Sequence, residues 1–544
     1  MKKTTFFACA ALLLACASGA MADTAQTIPF LTQLLPANEV PAITDTSSAN
    51  VIVWVHVIRD SAGNITSGSV DFDVSTKLSA AVTVTGLHIH AAPAGTSGSI
   101  VIPTDVNGTT NSIAVDATGK VRIQKQVQVP APATVATISD LLANPQNFYV
   151  NLHTTVSPGG AMRGQLVAAE MKVLMGLMST QNEVPPTTSN GSAIATVTAL
   201  RAKDSGGNVV LAEAIFNAVY TGLDATSTGT LFSGFHIHKG PAGGNFGVVL
   251  NTGIAGGAAS VAIDPTGNGT LNYLIPVAPS DASFTAEVDA INGLFDNPGG
   301  FYINIHTDKF GGGVVRDQLR NTDSATFQVS MLPSNETPPI VGLAATGTAA
   351  VSIYTLRNTD GTVAAGTAIF DVNFRGFPAT TTFTGLHIHD GPAGVPGGVT
   401  INTGLSTTNT IVSDTGNGNV FKTVTVSTGP GINTLNSIVK DPSQQYVNLH
   451  TLVNGGGAIR SQLADAAAVP LVLGVAANAS PVTHAAPGSI LSIYGSNLAN
   501  FTSGLGAFRG LASLPTSMNG VGATIAGFKT PLYFVSPLQL NVQV

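Results

Sequence analysis

The chain has 544 residues, of which only 9% are charged, with a formal net charge of −7. Its basic residues are scattered without a cluster, which argues against nucleic acid as a partner, and its length predicts several domains of roughly 100–200 residues each. The 60 glycines and 30 prolines, with abundant Thr, Val and Ala, describe a turn-rich all-β chain.

At the start, Met1-Lys2-Lys3 is followed by an apolar run from Phe6 to Ala17 that is too short to span a bilayer. This reads as a bacterial-type signal peptide over residues 1–22, with Ala20-Met21-Ala22 as the cleavage site before Asp23. The expected location is secreted or on the cell surface, the periplasm included. Leu13-Leu14-Ala15-Cys16 also loosely resembles a lipobox, which leaves lipid anchoring through Cys16 as the alternative. No transmembrane helix is expected in the mature chain. Both cysteines, Cys9 and Cys16, fall within the leader, so the mature chain has neither disulfides nor thiolate ligands.

From residue 23 a period of roughly 150 residues recurs, long enough for each copy to be a whole domain. The opening landmark is Asn38-Glu39-Val40-Pro41, then Asn182-Glu183-Val184-Pro185, then Asn335-Glu336-Thr337-Pro338. The middle one is Gly86-Leu87-His88-Ile89-His90, then Gly234-Phe235-His236-Ile237-His238, then Gly385-Leu386-His387-Ile388-His389. The closing one runs from Tyr149-Val150-Asn151-Leu152-His153 through Gly159-Gly160 to Arg163-Gly164-Gln165. Its counterparts hold Asn304, His306 and Arg316 in copy two, and Asn448, His450 and Arg460 in copy three. The predicted domains are 23–169, 170–322 and 323–468, arranged as beads on a string, followed by a module over 469–544. Runs such as 51–57, 193–200 and 348–356 read as strands ending at hairpin turns such as Ala62-Gly63-Asn64. One short helix per copy is expected, over 137–142, 287–295 and 435–439.

These landmarks resemble the CHRD (chordin-domain) family over about residues 27 to 468. The resemblance implies an extracellular location and an antiparallel β-sandwich or barrel of Ig-like kind in each copy. Chordin itself antagonises growth factors, but the cysteine-rich modules that accompany the domain there are missing, so that function is not carried over. After Val469, the strings Ala486-Pro487-Gly488-Ser489-Ile490 and Pro531-Leu532-Tyr533-Phe534-Val535 resemble an Ig-like module of bacterial surface proteins. In that family further strands follow the final Gln543-Val544. The module is therefore expected to be incomplete, with an unpaired last strand exposed to association.

Nine of the 11 histidines form the recurring sets His88/His90/His153, His236/His238/His306 and His387/His389/His450. Residues two apart on a strand share a face, so each His-x-His pair projects side by side while Leu87 and Ile89 point to the core. Three imidazoles converging under a Gly/Pro-rich loop suit zinc or copper; the same histidines can instead bond loop carbonyls. Asn151, Asn304, Asn448, Arg163, Arg316 and Arg460 are candidate supporting partners. Glu39, Glu183 and Glu336 recur with those arginines, either as clamps closing the sandwich or as general acids with an orienting cation. His56, without a counterpart, reads as an individual surface or strand residue. Gly234-Phe235-His236-Ile237-His238 is also similar to the copper-ligand strand of copper/zinc superoxide dismutase, but the disulfide, the bridging-histidine loop and a recurring acidic ligand are missing.

No nucleophile elbow, P-loop or HExxH is present. The functional expectation is a binding or structural protein whose ligand is extracellular or part of the cell envelope, with a metal site in each copy. The competing class is an extracellular metalloenzyme, redox or hydrolytic, against which stands the lack of a recurring general base beside the histidines.

Overall fold

The computed structural model describes residues 23–463, apart from 225–229, 256–260, 359 and 428. Beyond these it describes 471–477, 480–481, 488–496, 498–499, 501–504, 513–518, 521–525, 528–536 and 539–544. The expected signal peptide and Cys16 lie outside the described residues.

In copy one, β1 (Thr24–Leu34), β2 (Ser48–Arg59), β3 (Ile65–Lys77), β4 (Val82–Ala91), β5 (Ser99–Asn107), β6 (Ile113–Val115) and β7 (Arg122–Val129) precede α1 (Val135–Ala143). Then come β8 (Phe148–Thr154) and β9 (Met162–Gln165). They form two antiparallel sheets, β1-β2-β3-β7 and β5-β4-β8-β9, with β6 paired to β4. Alternation sends Val51, Val53, Val55, Phe72, Leu87, Ile89, Val150 and Leu152 into one shared core between the sheets. The hairpin between β2 and β3 closes on Gly63 at φ +84°, a conformation that glycine alone adopts without strain, with Asp60 Oδ1 accepting from the Asn64 amide. The expected helix forms as α1, capped by the Thr134 hydroxyl accepting from Thr137 N at 3.1 Å.

Copies two and three repeat this plan, with helices α2 (Phe284–Asp296) and α3 (Gly429–Lys440) in the same place. The chain is all-β, with an antiparallel sandwich in each copy.

The copies do not hang as beads. Strand Val167–Ser179 runs without a break from the end of copy one into copy two, pairing first with β1 through Phe30↔Ala168 and Leu31↔Val167 and then with Ser192–Lys203 of copy two. Leu31, Ile52 and Trp54 of copy one pack with Leu200 and Ala202 of copy two, and Phe421 of copy three joins them. The reason lies in β2. Val51-Ile52-Val53-Trp54-Val55 is apolar without interruption, the pattern of a strand buried on both faces. His56 follows the same logic: it is a strand residue, but 0% exposed rather than on the surface.

After copy three, Leu471–Ala477, Ile490–Ser496, Gln539–Gln543 and Leu532–Val535 form an antiparallel sheet. Strand Gln539–Gln543 lies inside it, paired to Ile490–Ser496 on one side and Leu532–Val535 on the other. The expected unpaired last strand is thus corrected, because the preceding hairpin strand takes the neighbouring position. No helix among the described residues is long and apolar enough to cross a membrane.

Candidate metal centre

The outer face of the second sheet carries a small grid of side chains set by strand register. Across β4, β8 and β9, His88 faces Asn151, which faces Arg163; His90 faces Tyr149, which faces Gln165; and Gly86 faces His153. Copy two repeats it as His236/Asn304/Arg316, His238/Tyr302/Gln318 and Gly234/His306. Copy three does so as His387/Asn448/Arg460, His389/Tyr446/Gln462 and Gly385/His450.

The glycine opposite the third histidine is what lets the rings meet. A Cβ on Gly86 would lie 2.9 Å from His88 Cε1 and 3.2 Å from the His153 ring. On Gly234 and Gly385 it would lie 2.8 and 2.6 Å from the corresponding Cε1. With that space open, one ring nitrogen from each histidine of a triad falls within 4.8 Å of the other two. Roughly 60 residues of intervening chain therefore close onto one point. The ring centroids of the diagonal pairs are 5.2, 4.5 and 4.7 Å apart.

Second partners fix which nitrogen is free. His90 Nδ1 lies 3.0 Å from the Gly98 carbonyl oxygen and His153 Nδ1 3.0 Å from that of Pro158. The matching contacts are His238 to Phe246 at 2.6 Å, His306 to Gly311 at 3.0 Å, His389 to Gly397 at 3.0 Å and His450 to Gly455 at 3.1 Å. A carbonyl only accepts, so each Nδ1 is the protonated nitrogen and each Nε2 keeps its lone pair. The Nε2 atoms of His90, His153, His238, His389 and His450 are buried and have no hydrogen-bond partner. His306 Nε2 meets His236 Nε2 at 2.8 Å, a contact that needs a proton on His236 when nothing else lies between them. Burial, with the neighbouring imidazoles second, lowers His88 and His387 to about 4 and His236 to about 3, so these rings are neutral and ligand-ready at neutral pH.

Around the triad lies a stacked support. Tyr149 lies flat on His90 at 4.9 Å, and the Arg163 guanidinium also lies over the Tyr149 ring, 4.6 Å from its centre. Tyr302 with Arg316 and Tyr446 with Arg460 do the same. The Tyr149 hydroxyl accepts from Gly98 N, whose own carbonyl orients His90. Arg163 donates through Nε to the Asn38 carbonyl at 2.7 Å, while Asn38 Nδ2 returns a bond to the Arg163 carbonyl at 3.0 Å.

The arginine thus clamps the backbone of the opening motif. Direct pairing with the glutamate is slight: Arg316 Nε stands 3.9 Å from Glu183 Oε2. Glu39, Glu183 and Glu336 instead sit beside Asn151, Asn304 and Asn448 under the Gly-Gly turn, outside the ring of converging nitrogens. Burial pushes Glu183 and Glu336 up to about 7 against the pull of Arg316 and Arg460, and raises Glu39 as well. The turn glycine is obligatory there. Gly313 has φ +122°, and a Cβ on it would be 2.7 Å from both Glu183 and Asn304, so Gly313→Ala is expected to cost about 1–3 kcal/mol. A chemical denaturation curve measures this, and an unchanged midpoint would count against the packing described.

Sequence reasoning missed the tyrosine and glycine members of the site. Their signal was present in the recurrence of Gly-x-His-x-His and Tyr-x-Asn-x-His, in which the non-histidine positions repeat as strictly as the histidines.

Comparison with known proteins gives one family. The model of the CHRD domain matches three times, over residues 30–166, 176–319 and 327–463. No curated protein matches the chain, and no solved structure does.

Proposed function

We propose that this chain, which belongs to the CHRD family through all three of its repeats, is an exported multidomain binding protein holding one transition-metal ion at each histidine triad. The observation that carries the reading is that two histidines of each triad spend Nδ1 on a loop carbonyl and keep the Nε2 lone pair, while the Nδ1 of the third, His88, His236 or His387, is itself buried without a partner. A hydrogen-bonding core histidine would use both nitrogens; a metal ligand uses one on a loop carbonyl and offers the other. Tetrahedral zinc at 2.0–2.1 Å from each nitrogen needs nitrogens about 3.3 Å apart, which small ring rotations reach from the present spread. Neutral imidazole accepts zinc and copper alike. Because the first sheets of the copies meet at the Trp54 cluster and the triads sit on the far face of the second sheets, the sites point away from the junction. An extracellular or cell-envelope ligand that coordinates through the metal then meets each site separately, on a different side of the junction.

Elemental analysis of the purified chain after exposure to zinc and to copper tests this, with about three ions per chain expected from the three triads. Absence of bound metal after both exposures would remove the proposal.

A second reading, a hydrolytic or redox metalloenzyme, draws on Glu183 and Glu336, whose carboxyls titrate near neutrality beside Asn304 and Asn448. Turnover of nitrophenyl esters or phosphates by the metal-loaded chain, lost in Glu183→Gln and Glu336→Gln with metal content unchanged, would favour it.

A further inference from the structure

Between copies one and three lies a second cluster of titratable side chains, remote from the triads. His56 on β2 is 0% exposed. Its Nδ1 stands 3.3 Å from Asp371 Oδ1 of copy three, and its Nε2 3.6 Å from Asp71 Oδ2 of its own copy. Thr27 on β1 bridges the two copies, its hydroxyl 3.0 Å from His56 Nδ1 and donating to Asp371 Oδ2 at 2.6 Å. Asp371, 3% exposed, also accepts from Asn373 at 3.1 Å and from Asn419. The ring of Phe421 covers the imidazole at 4.9 Å. The charged groups facing His56 are these two carboxylates, one on β3 and one on Val363–Arg375 of copy three; β1 and Gly418–Val426 offer Thr27, Asn419 and Phe421.

Neither the family match nor the metal reading involves this cluster. We propose that His56, Asp71 and Asp371 form a buried ionic latch that docks copy three on copy one, fixing the mutual placement of the triads, and that the latch opens on alkalinisation. A charge buried between domains is tolerated only when paired, so deprotonating the imidazole leaves Asp371 as an unpaired buried anion and reverses the sign of the contact. Burial opposes the charge on His56, but the Asp371 and Asp71 carboxylates outweigh it and raise the imidazole from 6.5 to about 10. Asp371 is held below its ordinary value by the same pairing, against full burial.

The signs follow. The His56 contribution is complete below about pH 6.5 and is lost as pH rises through about 10; that of Asp371 is present above its ordinary value and is lost as pH falls through its depressed one. A second group acts in the same direction at the junction with copy two. Glu213, 2% exposed, is raised well above 4.5 by burial and by Asp73, with Arg122 opposing, so its contribution also fades as pH rises.

Trp54, the single tryptophan of the chain, reports this interface, since it is 8% exposed and its ring lies 5.3 Å from Phe421 of copy three. Acrylamide quenching of its fluorescence in the full chain, from about pH 6 to about pH 10.5, should rise about threefold while the far-ultraviolet β-sheet signal holds. The radius of gyration from small-angle scattering should increase in parallel. His56→Leu and Asp371→Asn should each show the high-pH quenching already near neutrality. The latch is overturned if Trp54 stays shielded in the wild-type chain to about pH 10.5, or if its exposure coincides with loss of the β-sheet signal. It is equally overturned if folded His56→Leu quenches like wild type at neutral pH; should a variant fail to fold, the wild-type titration decides. Metal content is read separately, so failure here leaves the triad proposal standing.

Discussion

Replacing His238 and His306 together with alanine is expected to empty the second copy alone, so that saturation falls from three ions per chain to two. The triads lie on separate second sheets, and each draws all its ligands and orienting carbonyls from its own copy, so the first and third sites keep their affinity. Removing a group that merely orients a ligand costs 10–100-fold in affinity, and removing two of three ligands costs more. Gly234→Ala should reach the same end without touching a ligand, because its Cβ would stand 2.8 Å from His236 Cε1 and 3.2 Å from His306 Cδ2. Isothermal titration with zinc, paired with elemental analysis, reads both variants. Three ions retained in the double variant would mean that the metal sits elsewhere.

The repeats, the strands and the membership of each triad were legible because landmarks recurring three times report which positions the fold constrains. Alternation along Tyr149-Val150-Asn151-Leu152-His153 was enough to place Asn151 and His153 on the face opposite Val150 and Leu152, and the structure has them so. Convergence was not legible, since it depends on a register, Gly86 opposite His153, that no single strand encodes. The role of Arg163 was half legible: a clamp was expected, but its donors go to the carbonyls of Asn38 and Thr96. Backbone acceptors leave no trace in residue identity. The packing of the copies was written in the uninterrupted apolar run of β2, whose meaning depends on what covers its second face. His56 was read alone because its partner, Asp371, lies 315 positions away in another copy.

The buried guanidinium props the stacked rings of the site, and its removal carries the largest expected loss of stability. Arg316 is 3% exposed, covers the Tyr302 ring at 4.6 Å, and donates to the Asn182 carbonyl at 2.7 Å and to Asn245 Oδ1 at 2.8 Å. Arg316→Met preserves much of the stem packing but leaves those two acceptors and Glu183 without their cation. Two acceptors lose hydrogen bonds from a buried charged donor, each worth about 1.5–3 kcal/mol, so a loss of about 3–5 kcal/mol is expected. Arg316→Lys should recover only part of it, because a point charge on a flexible stem neither stacks on Tyr302 nor serves two acceptors in one plane.

The pH dependence separates this account from a simple packing defect. Glu183 is raised from 4.5 to about 7 in the native protein, so its contribution is full below about pH 4.5 and fades as pH rises through 7. Without Arg316, the only group whose charge lowers it is gone, and the carboxyl moves further up. The variant should then lose stability more steeply than wild type between about pH 6 and about pH 8, and Arg316→Met/Glu183→Gln should remove that extra slope. Parallel urea denaturation series across that range measure it. Equal slopes would show that the guanidinium acts through Tyr302 and the loop carbonyls alone, with no share in holding the carboxylate.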